Sequence, residues 1–185
     1  MSEHIKRINT PLTAEMADSL AMGDNVLISG VIYTARDAVH KRFADLIKEG
    51  KELPLDLDGQ IIYYVGPAPA KPGLACGPAG PTTSYRMDSV APLLLEKGLK
   101  GMIGKGLRSA AVVESMKKNK AVYFAATGGA AALIAKSILS VEAVAYEELG
   151  TEALQKMVVS DFPAIVVIDN KGNNLYEQGP KKYQS

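Results

Sequence analysis

Three cations of this chain, Arg36, Arg86 and Lys105, sit among hydroxyls and glycines rather than in runs of charge. Arg36 belongs to Thr34-Ala35-Arg36-Asp37, Arg86 closes Thr82-Thr83-Ser84-Tyr85-Arg86, and Lys105 lies in Gly104-Lys105-Gly106. A guanidinium offers a carboxylate a planar fork, and an ammonium offers a compact point charge. Glycines on both sides of a lysine let a ligand approach the backbone. Three cations on one ligand suit a small dianion. The richest stretch is 77–88, where a Gly- and Pro-rich loop is followed by three hydroxyls, Arg86, Met87 and Asp88. An amphipathic helix is expected over 86–97, with Met87, Val90, Leu93 and Leu94 on its apolar side. Unpaired N–H groups and the positive dipole end at such a helix start favour a carboxylate or phosphate.

The same residues have plainer uses. Arg36 and Asp37 fit a solvated ion pair, the usual fate of surface charges. Thr34, Thr82 and Thr83 fit helix caps. Gly104-Lys105-Gly106 completes no phosphate loop, since neither G-x-x-x-x-G-K-[ST] nor G-x-G-x-x-G occurs around it. Thr127-Gly128-Gly129 fits a tight turn. His40 falls on a helix after Asp37, where a lone histidine is more often structural than catalytic. Cys76 fits an ordinary loop thiol. Spacing therefore supports an anion site and assigns no catalytic group.

The elements that must present these residues alternate irregularly. A lead-in over 5–12 precedes a short helix over 13–20 capped by Thr13. A strand over 26–33, bent at Gly30, runs into a helix bearing Val39, Phe43, Leu46 and Ile47 and closed by Gly50. A buried strand over 60–65 leads to the linker 66–81, which contains five prolines. A loop of that length in a small domain is usually functional. Further expectations are a strand over 101–104, a helix over 109–118, a strand over 121–125 and a helix over 130–139. Strands over 144–146 and 164–169, a hairpin turn at 170–173 and a loose tail over 179–185 complete the reading. The expected architecture is a single α/β domain with a mixed sheet or small barrel flanked by helices. A regular doubly wound sheet fits less well.

Composition narrows the function. The 185 residues are 47% hydrophobic and 22% charged, enough for one sizeable core. A formal net charge of +1 supplies no field for nucleic acid or an anionic membrane. With no Trp and three Phe, stacking on bases would fall to the eight Tyr. One cysteine permits no internal disulfide, and no zinc site or iron–sulfur cluster ligated by cysteines of this chain alone. A reducing cytoplasm is expected. The first twelve residues do not pattern as a signal peptide, and no stretch has the length and apolarity of a membrane span.

Taken together, the stretch 34–42, the Gly-Pro-Thr-Thr stretch 77–88 and Gly104-Lys105-Gly106 closely resemble the β subunit of class I fumarate hydratases. The related tartrate dehydratase β subunit has a similar layout. The resemblance runs from about residue 5 to 179 and includes Asp161-Phe162-Pro163-Ala164. It implies a swivelling β/β/α domain that closes over a [4Fe-4S] cluster held by cysteines of a partner α subunit. It implies that Arg36, Arg86 and Lys105 hold substrate carboxylates, and that Thr82 moves the proton on the carbon beside one of them. Asp37, His40, Thr83 and Asp88 would stand behind these groups, with the two aspartates orienting the arginines, and no metal ligand would come from this chain. The implied reaction is reversible hydration of fumarate to (S)-malate in a hetero-oligomer. Asp88, Thr127-Gly128-Gly129 and Asp161-Phe162-Pro163-Ala164 look like the fumarase branch, whereas Tyr85 departs from the small residue expected there. The competing expectations are a tartrate dehydratase β subunit and a non-catalytic anion-binding module.

Overall fold

A computed structural model describes residues 5–126 and 131–181. Short apolar runs separated by helices give four strands that pair in parallel: β2 (Asn25–Thr34), β3 (Ile61–Tyr63), β4 (Gly101–Gly104) and β5 (Val122–Ala126). A short strand, β1 (Lys6–Asn9), lies parallel to the first half of β2. The long strand β7 (Leu154–Ile168) runs antiparallel to β2 on one side and to β5 on the other. β2, β3, β4, β5 and β7 thus close into a five-stranded barrel. β6 (Ile138–Ala145) hangs outside it, paired with the first half of β7. The mixed α/β architecture with a small barrel is the one expected, and it is compatible with the swivelling β/β/α layout.

Strand residues alternate between two cores. Ile61, Tyr63, Ile103, Val122, Phe124 and Val166 join Val26, Ile28, Ile32 and Met157 in one cluster, which draws on all five barrel strands. Ile62, Tyr64, Met102, Tyr123 and Val167 face the other way. They pack under the helices α2 (Asp37–Lys48), α3 (Ala91–Glu96) and α4 (Ala110–Asn119). Burial on both faces explains why these strands read as unbroken apolar runs. Helix α1 (Ala14–Ser19) joins the first cluster through Ala17, and Thr13 caps it by accepting from the Met16 N–H.

Closure needs a bend, and it falls where Gly30 stands. Ile28 pairs with Phe162 and Gly30 with Val159, so β7 carries one extra residue there. Asp161 takes a φ of 51°, and its N–H donates to Ser29 Oγ at 2.9 Å. Gly30 has a φ of 116°, and a Cβ there would meet Thr10 Oγ1 at 2.4 Å. Such a bulge bends and twists the strand that carries it.

Three expectations need correction. Helix α5 (Ala131–Ser137) stops at Ser137, and the chain passes directly into β6. β6 and β7 are longer than the fragments 144–146 and 164–169, because an exposed strand and an internal bulge hide the alternation. The turn at 170–173 does reverse the chain, with Ile168 and Asn174 in an antiparallel bridge, but no second strand follows and the chain enters α6 (Leu175–Lys181). The Asp169 carboxylate organises it, accepting from the Lys171 and Asn173 N–H groups, each at 3.0 Å. The segment expected to be loose from residue 179 thus begins inside α6. Thr127-Gly128-Gly129 lies outside the described residues.

Candidate active site

The four parallel strands end on one edge of the barrel. Thr34 aligns with Tyr63, Tyr63 with Ile103, and Gly104 with Ala125. Arg36 follows β2 and Lys105 follows β4. The loop after β3 returns to the same edge, where the Thr82 N–H donates to the Tyr64 carbonyl at 2.8 Å and Thr83 forms a parallel bridge with Lys105. Carboxyl ends of parallel strands are where open α/β sheets bind ligands.

Asp37 lies between the two arginines. Its Oδ1 takes Arg86 Nε at 2.8 Å, and its Oδ2 stands 3.8 Å from an Arg36 Nη. The other Arg36 Nη meets Glu152 Oε1 at 2.9 Å. Glu152 ends a 3₁₀ segment, Glu147–Glu152, and sequence reasoning missed it. The reading of Arg36 and Asp37 as an ion pair holds, but the Arg36 side chain is only 22% exposed. Arg36 Nε and Asp37 Oδ2 are buried without a hydrogen-bond partner among the described residues. Gly66 makes room for the arginine, since a Cβ there would stand 3.2 Å from Arg36 Nη1.

No α-helix starts at Arg86. Ser84–Met87 is a single 3₁₀ turn, and α3 begins only at Ala91, with Pro92 in its first turn. The bridge from Thr83 to Lys105 keeps the preceding chain extended, and a proline favours a helix start at its own position. No helix dipole therefore favours an anion at Arg86, contrary to expectation, and the positive charge there comes from the side chains alone. Thr34 caps no helix either. It closes β2 fully buried, with its hydroxyl donating to the Ala153 carbonyl at 3.3 Å and accepting from the Gln155 N–H at 3.2 Å.

Behind the arginines stands His40, 2% exposed. Its Nδ1 donates to the Arg36 carbonyl at 3.0 Å, which fixes the tautomer, and Nε2 is left without a partner. Burial pushes its pKa down to about 4; the Arg36 bond opposes the shift and Arg108 adds to it. His40 is therefore neutral at working pH. Asp88 does not orient Arg86. It accepts from Arg108 Nε at 2.7 Å and from the Ser109 N–H at 2.5 Å. Arg108, also missed, is buried between the rings of Tyr64 and Tyr123, 5.3 and 5.1 Å from their centroids. Nothing local marks Arg108, because its burial depends on Tyr64, just past β3, and Tyr123 of β5.

Among the described residues, no three His, Cys, Asp or Glu side chains gather as metal ligands. Cys76 is buried, and burial raises its thiol pKa. Clusters are held by several cysteine thiolates, so the side chains of this chain do not fit the ligation of one.

One barrel edge thus carries two guanidinium groups, an ammonium and a threonine. The chain belongs to the family described as "Fumarase C-terminus", whose model matches residues 2–179. It is 39% identical over 175 residues to the anaerobic class I fumarate hydratase of Escherichia coli, covering 92% of this chain and 32% of that protein. Against fumarate hydratase 2 of Leishmania major it is 40% identical over 159 residues, covering 85% of this chain and 28% of the other. The chain thus spans about a third of the length of these relatives. It is also 38% identical over 177 residues to a putative L(+)-tartrate dehydratase subunit beta of Methanocaldococcus jannaschii, and here 92% and 91% are covered.

Proposed function

We propose that this chain is the β subunit of a [4Fe-4S]-dependent hydro-lyase that reversibly hydrates fumarate to (S)-malate. The observation that carries this reading is the gathering of Arg36, Arg86, Thr82 and Lys105 on one barrel edge, with the arginines held by Asp37 and Glu152. Arg36 and Arg86 bind the substrate carboxylates, each guanidinium keeping N–H groups beyond those its acidic neighbours use. Lys105 adds a point charge. The Thr82 hydroxyl, with no hydrogen bond among the described residues, moves the proton on the carbon beside a carboxylate. Threonine keeps its own proton at neutral pH, so a carboxylate of the α subunit must take the proton onward. The cluster is ligated by that α subunit, where it supplies Lewis-acid chemistry toward the hydroxyl that is added or lost. The complex is a cytoplasmic hetero-oligomer. No helix among the described residues is long and apolar enough to cross a membrane.

The test is reconstitution. With a cysteine-bearing α subunit under anaerobic conditions, the complex hydrates fumarate, and this chain alone does not. Thr82→Ala lowers kcat by about 100-fold or more with little change in KM; an unchanged kcat removes the proton-transfer role. A second reading rests on the relative matched along nearly its whole length, which is named for tartrate dehydratase. Turnover of tartrate but not malate establishes that reading, since a site built to hydrogen-bond the extra hydroxyl rejects a substrate without it. Tight calorimetric binding of fumarate or phosphate by the isolated chain, without turnover in any complex, establishes an anion-binding module instead.

A further inference from the structure

The backbone of Lys105 and Gly106 has no polar group to spare. The Lys105 N–H donates to Ser84 Oγ at 3.1 Å, and its carbonyl accepts from the Ser84 N–H at 2.9 Å. The Gly106 N–H donates to Tyr176 Oη at 3.3 Å, and its carbonyl accepts from Tyr123 Oη at 3.0 Å. Ser84 Oγ and Tyr123 Oη also lie 2.9 Å apart. A tyrosine has one hydroxyl proton, and here the Gly106 carbonyl takes it. The Ser84 proton then points to Tyr123 Oη, and its lone pair receives the Lys105 N–H. A one-way chain results, from Lys105 through Ser84 and Tyr123 to Gly106.

The flanking glycines serve this arrangement. A Cβ at Gly104 would stand 1.9 Å from Ser84 Oγ, so the serine hydroxyl fills the space a side chain would need. Gly106 has a φ of 84°, which other residues rarely adopt. At Gly104 the missing side chain makes room for Ser84, and at Gly106 it permits the backbone angle of the turn. Only the Lys105 ammonium is left to act, and among the described residues it pairs with no carboxylate.

We propose that Ser84, Tyr123 and Tyr176 are positioning residues that aim the Lys105 ammonium at the substrate carboxylate by fixing this turn through their hydroxyls. They come from three separate elements: the 3₁₀ turn, β5 and α6. Ser84 is fully buried and Tyr176 38% exposed. Burial raises the Tyr123 pKa, which keeps its hydroxyl a donor across the working range. The ring of Tyr123 rests on Arg108 at 5.1 Å, so the chain of hydroxyls has a fixed base. The proposal rests on the reading that Lys105 binds substrate. A displacement of about 1 Å in a binding group can cost roughly 100-fold in rate.

The decisive experiment is a double-mutant cycle in the reconstituted complex. Tyr123→Phe lowers kcat/KM by about tenfold, and Tyr176→Phe, which leaves the core untouched, by less. In a Lys105→Ala background neither hydroxyl deletion has a further effect, because the group being aimed is gone. A penalty that persists undiminished in that background, or no penalty in the wild type, overturns the proposal. Amide hydrogen exchange on the full chain gives a readout that needs no turnover. Tyr123→Phe and Ser84→Ala accelerate exchange at Lys105 and Gly106 at least tenfold, with the other strand ends unchanged. Unaltered exchange there overturns the proposal. A complex inactive on fumarate and tartrate removes the hydro-lyase reading, while the exchange experiment still decides whether the hydroxyls hold the turn.

Discussion

Arg108 and Arg86 are both held by an aspartate, and the aspartates are Asp88 and Asp37. Arg108 is enclosed, its side chain 0% exposed and stacked on two tyrosines, with Nη1 reaching Met102 Sδ at 3.3 Å. Arg86 is 44% exposed and has a single carboxylate contact. Beside it, Asp37 Oδ2 and, on the adjoining arginine, Arg36 Nε are buried without a hydrogen-bond partner among the described residues. Buried polar atoms without partners are uncommon in finished cores and accumulate where a site is completed by something else. One arginine is therefore part of the framework, and the other keeps its remaining N–H groups toward solvent.

The sharpest way to break this contrast is Arg108→Leu. It strands the Asp88 carboxylate under α4 and costs about 3–5 kcal/mol of stability, read by denaturant melting. A loss below about 1 kcal/mol would deny Arg108 its framework role. Next comes the pH dependence set by His40. Its folded pKa of about 4 lies below the ordinary 6.5, so the unfolded chain binds the proton more readily. Stability is full above pH 6.5 and falls as pH drops toward 4, by up to roughly 3 kcal/mol. His40→Asn, which keeps a donor for the Arg36 carbonyl, flattens the melting profile in that window. A smaller effect is expected from Arg86→Ala, which lowers kcat/KM of the complex by roughly 10- to 100-fold, the loss of charge-assisted hydrogen bonds. Its Tm should stay near that of the wild type, since exposed pairs stabilise little. The smallest effect belongs to Glu152→Gln. It leaves Arg36 in place, removes the competing charge, and lowers KM for the dicarboxylate about two- to fivefold, an effect that fades at high salt.

The convergence of the candidate residues is legible from residue chemistry. Arg36, Thr82, Arg86 and Lys105 each stand just past a strand or a rigid loop, and parallel pairing brings those points to one edge. Glu152 was not legible, because its partner Arg36 lies far away in sequence and its own 3₁₀ segment has no apolar pattern. The helix start was misplaced for a related reason. Residues 86–97 have helical spacing throughout, but the pairing of Thr83 with Lys105 and Pro92 set the start at Ala91. The sequence leaves open a mixed sheet or a small barrel. β7 decides it, and its bulge at Asp161 broke the alternation that would have revealed a 15-residue strand.

That strand turns closure into a matter of counting. Before the bulge β7 serves β6, after it β5, and from Gln155 to Ile165 it serves β2. Side chains alternate with a period of two, so one residue gained or lost between Val159 and Phe162 would exchange Val166 and Val167 between the two cores. The loop over 66–81 answers to no such parity; it is held at points, by backbone bonds from Ala68 to Pro78 and from Gly77 to Ala68 and by Tyr63 Oη on the Ala79 carbonyl. In β7, by contrast, a single codon would exchange inside and outside for everything past the bulge.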